Sequence, residues 1–175
     1  MTKPDVRLAT RADIDTIAEL YESARQWLDS LGSDQWASNT PERTRPRIAS
    51  SVEHGECYVS LIDGVVVGTI TVDDFADPEF WHAGDDPESA LYVHRMVVDR
   101  AMRGRNIGAC MLDLADQIAS REGRRRLRLD AWHTNLALRD YYERQGFRHV
   151  RTVRLAHRGS GALFERPVAR FREVS

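Results

Sequence analysis

The chain has 175 residues, of which 42% are hydrophobic and 30% are charged, and its formal net charge is −2. This composition is typical of folded proteins and excludes an intrinsically disordered chain, because it contains enough apolar side chains to bury a core. The small net charge gives no reason to expect non-specific binding to nucleic acid.

The length predicts a single domain covering residues 1–175, since domains commonly have about 100 to 200 residues. No apolar run approaches the roughly 18 residues that a membrane-spanning helix needs, and the first residues, MTKPDVRL, lack the apolar centre of a signal peptide. We therefore expect a cytoplasmic protein without a membrane partner. Cys57 and Cys110 have neither metal nor redox spacing, which predicts buried, reduced thiols.

Two helices are predicted in the first part of the chain. Apolar residues recur at helical spacing after Thr10, which resembles an N-cap, and this helix should end near Gly32. A second helix can start at Pro41. Pro46 should delay the regular part of this helix, which is expected to end near Gly55.

A β-hairpin is predicted next. The runs CYVSLI and VVVGTITV are rich in β-branched residues and are joined by Asp63-Gly64, a dipeptide that favours a type I′ turn. The stretch from Asp73 to Glu88 contains seven acidic residues and no Lys or Arg, and we interpret it as a long loop. Two explanations of its charge stay open: it attracts a cationic amine to a cleft, or it is a solvated, mobile loop.

The rest of the chain alternates between strands and helices. LYVHRMVV and RLRLDAW are predicted strands, and HVRTVRL and ALFERPV form an antiparallel pair on either side of Gly159-Ser160-Gly161. Apolar spacing predicts one helix from Ile107 to near Gly123 and another from Asn135 to Gln145. This order of elements indicates an α/β (α+β) fold with a mixed sheet and helices on both faces.

The turn RGRNIG joins a predicted strand to the following helix. A helix N-terminus offers backbone amides without intrahelical partners and the positive end of the helix dipole, so it can hold a phosphate. Gly104 and Gly108 allow close approach of the backbone, and Asn106 tolerates a left-handed conformation. Arg103 and Arg105 add positive charge. The pattern favours a pyrophosphate site, but alone it fits a structural turn equally well.

Two segments resemble landmarks of the GCN5-related N-acetyltransferase (GNAT) family. The stretch Arg103–Ala109 resembles the acetyl-CoA signature R/Q-x-x-G-x-G/A, and NLALRDYYERQGF resembles the segment N-x-x-A-x-x-x-Y-x-x-x-G-F. Arg100 stands where the family usually has proline, and Asn106 stands where it has the first signature glycine. The resemblance extends from Val6 to Val168 and is weakest in the first 55 residues.

The resemblance implies the GNAT acyl-CoA N-acyltransferase fold, with a mostly antiparallel central sheet, and acetyl-CoA as co-substrate. It implies that the strand before the signature splays and that its backbone amides bind the pantetheine arm and the thioester oxygen. It further implies that Tyr142 is the general acid toward the CoA sulfur, and that Asn135 contacts the pantetheine or caps its helix. The expected cofactor-binding residues are Met96, Val97, Val98, Arg103, Gly104, Arg105, Asn106, Ile107, Gly108, Ala109 and Asn135.

The resemblance determines the general base and the acceptor site less closely. His94 is the candidate base, because an imidazole can take a proton from an ammonium group, and His133 and Asp130 compete for this role. Trp36 can line the acceptor groove or simply fix the connection between the first two helices. The candidate acceptor-binding residues are Trp27, Trp36, Tyr92 and His133.

We therefore expect an enzyme that transfers acetyl from acetyl-CoA to the primary amine of a small molecule, by direct attack in a ternary complex. The alternatives are a non-catalytic acyl-CoA-binding or interaction module and a protein N-terminal or lysine acetyltransferase. No spacing resembles HExxH or another metal site, so we expect no metal. The arginines of residues 121–128 are interpreted as solvated surface and not as a nucleic-acid site, and a homodimer stays open.

Overall fold

The computed structural model describes residues 4–169, which contain four α-helices and seven β-strands. The helices are α1 (Ile14–Ser30), α2 (Pro41–Glu53), α3 (Ile107–Arg121) and α4 (Leu136–Arg144). The strands are β1 (Asp5–Leu8), β2 (Cys57–Ile62), β3 (Val65–Asp73), β4 (Ala90–Val98), β5 (Arg126–Trp132), β6 (Arg148–Thr152) and β7 (Ser160–Pro167). Within the described residues, none of the helices is both long and apolar enough to cross a membrane.

The strands form one mixed sheet in the order β1-β2-β3-β4-β5-β7-β6. β4 and β5 run parallel, with Ala90 opposite Arg126 and Tyr92 opposite Arg128, so the chain must cross over between them through α3. The pairs β1–β2, β2–β3, β5–β7 and β6–β7 are antiparallel. The prediction of a mixed, mostly antiparallel sheet is confirmed.

The sequence did not reveal β1. This strand has four residues, DVRL, three of which are exposed, and it pairs with β2 from Asp5 opposite Leu61 to Leu8 opposite Tyr58. Four residues are too few for an alternating pattern to stand out from a loop. β1 is defined by its hydrogen bonds to β2, a part of the chain about fifty residues away.

The chain divides into two compact units. The first contains the described residues up to Val72 together with Arg95–Leu112, and the second contains Asp73–His94 together with the described residues from Asp113 onward. β4 and α3 contribute residues to both units, so neither unit is a continuous segment of the chain. The single domain expected from the chain length stays a prediction.

The core of the first unit contains residues of α1, α2 and the β2–β3 hairpin. Ile17 and Tyr21 of α1 pack with Ile48 and Val52 of α2 and with Val59 of β2. The i, i+4 spacing of the two helical pairs places each pair on one face of its helix. The apolar periodicity that predicted these helices therefore corresponds to the faces that they bury.

Two local predictions in the first unit have opposite outcomes. Asp63 and Gly64 have φ values of 51° and 79°, which confirms the type I′ turn of the hairpin. α2 is helical from Pro41 through Pro46, so the prediction that Pro46 delays the helix is wrong. Pro46 removes one hydrogen bond, to the carbonyl of Glu42, and the packing of the apolar face of α2 compensates for that loss.

The acidic segment between β3 and β4 is packed into the second unit. Phe80 and Trp81 are buried there with Tyr92 and Leu163, whereas Asp74, Glu79, Asp86 and Glu88 are exposed. Arginines from other parts of the unit bind its carboxylates. These ion pairs join Arg158 to Asp77 and Glu79, Arg151 to Asp85, and Arg125 to Asp86.

Candidate active site

The turn before α3 has the left-handed backbone that the sequence predicted. Gly104 has a φ of 82° and Asn106 has a φ of 56°, and α3 begins at Ile107. Asparagine adopts this conformation more readily than most other non-glycine residues, so its replacement of the signature glycine preserves the turn. The first four amides of an α-helix have no acceptor within the helix, and the start of α3 can therefore bind an anion.

Two exposed arginines flank this turn. Among residues 4–169, neither Arg103 nor Arg105 has an ion-pair partner. Ile107 and Gly108 at the start of α3 are buried. The helix end is thus held in the core of the first unit, while both guanidinium groups are accessible to an anionic ligand.

Gly68 on β3 brings the start of α3 close to the sheet, and the sequence analysis did not single it out. A Cβ atom at this position would lie 3.2 Å from Ile107 Cγ2, 3.2 Å from the Val97 carbonyl oxygen and 3.3 Å from Met111 Cε. Any larger residue would have to displace one of these groups. The available signal was the glycine inside VVVGTITV, since a glycine within a strand often marks a close approach.

β4 departs from regular strand geometry at Arg95, directly before the expected cofactor-binding residues Met96, Val97 and Val98. Arg95 has a φ of 49°, in the left-handed region that a strand residue rarely adopts. The Tyr21 hydroxyl donates a hydrogen bond to the Arg95 carbonyl. The strand therefore departs from regular geometry at the point where the resemblance implies a splayed strand.

His94 and Asp73 form a hydrogen-bonded pair in the second unit. Nε2 of His94 lies 3.0 Å from Oδ1 of Asp73, and the side chains are 19% and 12% exposed. Because the carboxylate can only accept, the Nε2 nitrogen donates, and the lone pair of a neutral imidazole is then on Nδ1. The pair can therefore accept a proton at Nδ1. Sequence reasoning missed Asp73, which lies 21 residues from His94.

Tyr92 lies in the core of the second unit and supports the ring of His94. Its side chain is 1% exposed, and its ring stacks on His94 with the ring centroids 6.5 Å apart. The hydroxyl donates to the Pro87 carbonyl at 3.0 Å and accepts from Arg128 Nη1 at 3.3 Å. Burial raises the pKa of the Tyr92 phenol. A contact between Tyr92 and an acceptor stays a prediction.

Tyr142 lies on α4, whose N-terminus is capped by Asn135. The Asn135 side chain accepts from the Leu138 amide at 3.0 Å, which confirms the predicted cap. The Tyr142 ring is 7% exposed and packs edge-on against Phe147, with the ring centroids 5.8 Å apart. Burial raises the pKa of Tyr142 well above its usual range, so the phenol is protonated near neutral pH and can donate a proton. Its role as general acid stays a prediction.

The two competing bases have different surroundings. Nδ1 of His133 donates to the Gly159 carbonyl at 2.5 Å, which leaves the lone pair on Nε2. Oδ2 of Asp130 lies 3.8 Å from Nη2 of Arg158. His94 and His133 are the two histidines among the candidate bases. Within the described residues, His94 is bound by a carboxylate, that of Asp73, whereas His133 is bound by the Gly159 carbonyl.

The two tryptophans proposed for the acceptor site have unlike environments. Trp36 packs on Tyr21 with the ring centroids 5.6 Å apart and adjoins the core of the first unit, an environment that suits the fixing of the α1–α2 connection. Trp27 is 38% exposed, and the Arg100 guanidinium lies 3.7 Å above its ring. Trp27 therefore presents a surface that a ligand can reach.

The candidate residues divide between the two units. The first unit holds Trp27, Trp36, Met96, Val97, Val98 and the signature residues from Arg103 to Ala109. The second unit holds Tyr92, His94, His133, Asn135 and Tyr142.

A family model matches most of the chain. It describes the acetyltransferase (GNAT) family and covers residues 17–147. The chain belongs to this GNAT acetyltransferase family. The matched range includes His94, the turn before α3 and Tyr142, so both landmarks found in the sequence lie inside it.

This GNAT acetyltransferase is similar to proteins from bacteria and archaea. It is 30% identical to the uncharacterized N-acetyltransferase YesJ of Bacillus subtilis (strain 168) over 143 residues, which are 79% of this chain and 78% of that protein. A GNAT acetyltransferase structure from Listeria monocytogenes 4b F2365 matches with a TM-score of 0.76 and 24% identity over 94% of each chain. The PaiA N-acetyltransferase of Thermoplasma acidophilum, solved with coenzyme A, matches with a TM-score of 0.71 and 17% identity over 95% of this chain and 99% of that chain. These matches confirm the predicted fold.

Proposed function

We propose that this acetyltransferase moves the acetyl group of acetyl-CoA to the primary amine of a small molecule, by direct attack of the amine in a ternary complex. Family membership supports acetyl transfer, and the coenzyme A in the PaiA structure supports acetyl-CoA as the donor. The pairing of His94 with Asp73 carries the proposal of direct attack, because an ammonium group must lose a proton before its nitrogen can attack.

The start of α3 is proposed to hold the diphosphate of the cofactor. The left-handed turn at Asn106 and the exposed guanidinium groups of Arg103 and Arg105 fit an anion at this helix end. The backbone of residues 96–98, which follows the irregular residue Arg95 in β4, is proposed to bind the pantetheine arm and the thioester oxygen. A hydrogen bond to that oxygen stabilises the charge that develops on it during attack.

The proton steps are assigned to His94 and Tyr142. Nδ1 of His94 takes one proton from the ammonium group, and the neutral nitrogen forms a bond to the carbonyl carbon. The bond from that carbon to sulfur then breaks, and Tyr142 gives its proton to the sulfur. The second proton lost by the nitrogen returns through solvent to the Tyr142 oxygen, so that the reaction leaves an amide, free CoA and one proton.

The experiment measures CoA release with a panel of amines for the wild type, His94→Gln and Asp73→Asn. We expect His94→Gln to lower kcat/KM by about 100-fold or more, because positioned general bases contribute about 10²- to 10⁴-fold. Asp73→Asn should lower kcat/KM by a smaller factor, since the imidazole is kept and only the carboxylate that orients it is changed.

The matched control is His54→Gln, which removes an exposed histidine of the first unit. It should leave kcat/KM and acetyl-CoA affinity unchanged. Full activity of His94→Gln would transfer the base role to another group, with His133 next. Tight acetyl-CoA binding by the wild type without transfer to any small amine, peptide N-terminus or peptide lysine would identify a non-catalytic acyl-CoA-binding module.

A further inference from the structure

Arg95 is a half-buried arginine in the first unit without a carboxylate partner among residues 4–169. Its Nη2 atom donates to Ser51 Oγ at 2.6 Å and lies 3.4 Å from Thr71 Oγ1. The buried Arg128, by comparison, binds the carboxylate of Glu165 at 3.0 Å. A charge shielded from water is normally paired, because its desolvation is costly.

The groups closest to this guanidinium supply no negative charge. Ser51 and Thr71 are neutral hydroxyls, and burial raises the pKa of the nearby Cys57 thiol, which therefore stays protonated near neutral pH. The buried carboxylate of this unit, Asp13, is bound by both terminal nitrogens of Arg7, at 2.8 and 2.9 Å. Among the described residues, the guanidinium of Arg95 thus has hydroxyl neighbours and no anionic partner.

The backbone of Arg95 is held in a conformation that fixes the guanidinium. A non-glycine residue with a φ of 49° is strained and persists where the surroundings hold it. The Tyr21 hydroxyl binds the Arg95 carbonyl on one side, and Ser51 holds the guanidinium on the other. Such a pre-organised fork suits the planar geometry of a carboxylate.

The position of Arg95 in the chain relates it to the reaction. It directly precedes Met96, the first of the residues whose backbone is proposed to bind the pantetheine arm and the thioester. An anion held by the Arg95 side chain is therefore held by the residue next to the proposed acetyl-binding backbone. The carboxylates of the acidic segment are largely engaged by arginines of the second unit, which weakens the case for recruitment of a purely cationic amine.

We propose that Arg95, whose guanidinium is held by Ser51 and Thr71, binds the carboxylate of the acceptor, so that the acceptor is an amino acid or a similar amine with a free carboxylate. This inference rests on the proposed acetyl transfer and narrows its substrate class. It also distinguishes the chain from a protein N-terminal acetyltransferase, since the carboxyl group next to a peptide N-terminus is part of an amide bond. Arg95 is a specificity residue in this assignment, and it takes no part in proton transfer.

The test compares matched acceptors with the wild type and Arg95→Gln. The acceptors are α-amino acids, the corresponding α-amino amides, and the corresponding amines that lack the carboxylate, and CoA release gives kcat/KM for each. The wild type should prefer the acid over its amide by about 10- to 100-fold, as hydrogen bonds to charged groups contribute that much. Arg95→Gln should lose this preference by slowing the reaction of the acids and leaving that of the amides nearly unchanged.

Two further variants test whether the preference for acids depends on the guanidinium of Arg95 or only on the net charge of the protein. Arg43→Gln removes the same charge from an exposed position on α2 and should keep the preference for acids. Arg95→Lys keeps the charge without the planar fork and should retain part of the preference. Thermal unfolding shows whether each variant is folded. If Arg95→Gln does not fold, the acid-over-amide preferences of the wild type and Arg95→Lys still test the assignment of Arg95.

The possible failures are distinguishable. Equal kcat/KM for acids and amides, or a preference that survives in Arg95→Gln, overturns the assignment of Arg95 and leaves acetyl transfer intact. Absence of transfer to every acceptor by the wild type contradicts the proposed function itself and removes the inference with it.

Discussion

Tyr141 and Tyr142 are neighbours on α4 with different surroundings. Tyr142 is buried and packs against Phe147 and Phe164, whereas Tyr141 is half-buried and meets the edge of the Tyr142 ring. Burial explains why the Tyr142 phenol keeps its proton until something accepts it. The pair offers a direct test of the proposed general acid, because the same substitution can be made at both positions.

We predict that Tyr142→Phe lowers kcat by about 100-fold or more, the usual contribution of a positioned acid, with little change in acetyl-CoA affinity. The phenylalanine ring preserves the packing, so the midpoint of thermal unfolding should hardly move. Tyr141→Phe is the control and should keep most of the activity. Steady-state kinetics and calorimetric titration with acetyl-CoA supply the measurements, and an equal loss of kcat and affinity would remove Tyr142 from this role.

Single residues were predictable where the chemistry is local. Asn135 as a helix cap and Asn106 as a left-handed residue follow from the backbone preferences of asparagine. Asp73 and Arg95 were not recognised as site residues, because their partners are distant in the chain. Asp73 meets His94 across 21 residues, and Arg95 meets Ser51 across 44.

At the scale of elements, the segment from β4 to α3 contains two residues with positive φ, Arg95 within β4 and Asn106 in the turn before α3. Asn106 at φ 56° is exposed, and the adjoining Ile107 is buried in the core of the first unit. The turn therefore positions the first amides of α3, and its conformation should control anion binding there. Glycine adopts this positive φ freely, whereas a β-branched residue such as valine is strained by it.

We predict that Asn106→Gly binds acetyl-CoA at least as tightly as the wild type, while Asn106→Val binds about 10-fold more weakly. A β-branched residue in the left-handed region is strained by about 1–2 kcal/mol, and relief of that strain would move the amides at the start of α3. Isothermal titration with acetyl-CoA measures the affinities. Equal affinities for the glycine and valine variants would show that this turn does not hold the cofactor.

Strands and helices were predicted correctly where the apolar pattern of the sequence marks the side chains that the fold buries. The β2–β3 hairpin, the strand RLRLDAW and the helix after RGRNIG all appear as expected. The burial of Phe80 and Trp81 in the acidic segment was not predicted, because it depends on the residues of β4 and β7 that they contact.

At the scale of the whole molecule, arginine–carboxylate pairs are a recurrent means of stabilisation. Both carboxylate oxygens of Asp85 accept from Arg151, at 2.8 and 2.7 Å, and this lowers the pKa of Asp85 to about 2. The Arg7 guanidinium likewise lowers the pKa of Asp13 well below its usual range. Since a free aspartate has a pKa of about 3.9, the folded state binds fewer protons than the unfolded chain in acid.

We predict a loss of stability on acidification that Asp85→Asn reduces. The contribution of Asp85 is fully present above about pH 4, the range set by the unfolded pKa, and is lost as the pH falls toward about 2, its folded pKa. Asp85→Asn should be less stable near neutral pH and should lose less of its free energy of unfolding between pH 4 and pH 2. Urea denaturation followed by tryptophan fluorescence measures this slope.

Arg151→Gln is the companion variant, because it leaves the Asp85 carboxyl in place and removes its main partner. Its slope should resemble that of Asp85→Asn, and the double variant should add little to either. Parallel slopes for the wild type and both single variants would mean that this pair does not govern acid stability.

The sequence by itself determined the family, the helices with one apolar face, the hairpin and the left-handed turn before α3. These features depend on interactions within a few residues, which spacing and backbone preference record directly. Only the tertiary structure decided that β1 is a strand, that Phe80 and Trp81 are buried and that Asp73 binds His94. It also decided that the guanidinium of Arg95 has hydroxyl neighbours and, within residues 4–169, no carboxylate partner. Each of these results from contacts between distant parts of the chain, whose free energy depends on which surfaces the fold brings together and leaves no local pattern in the sequence.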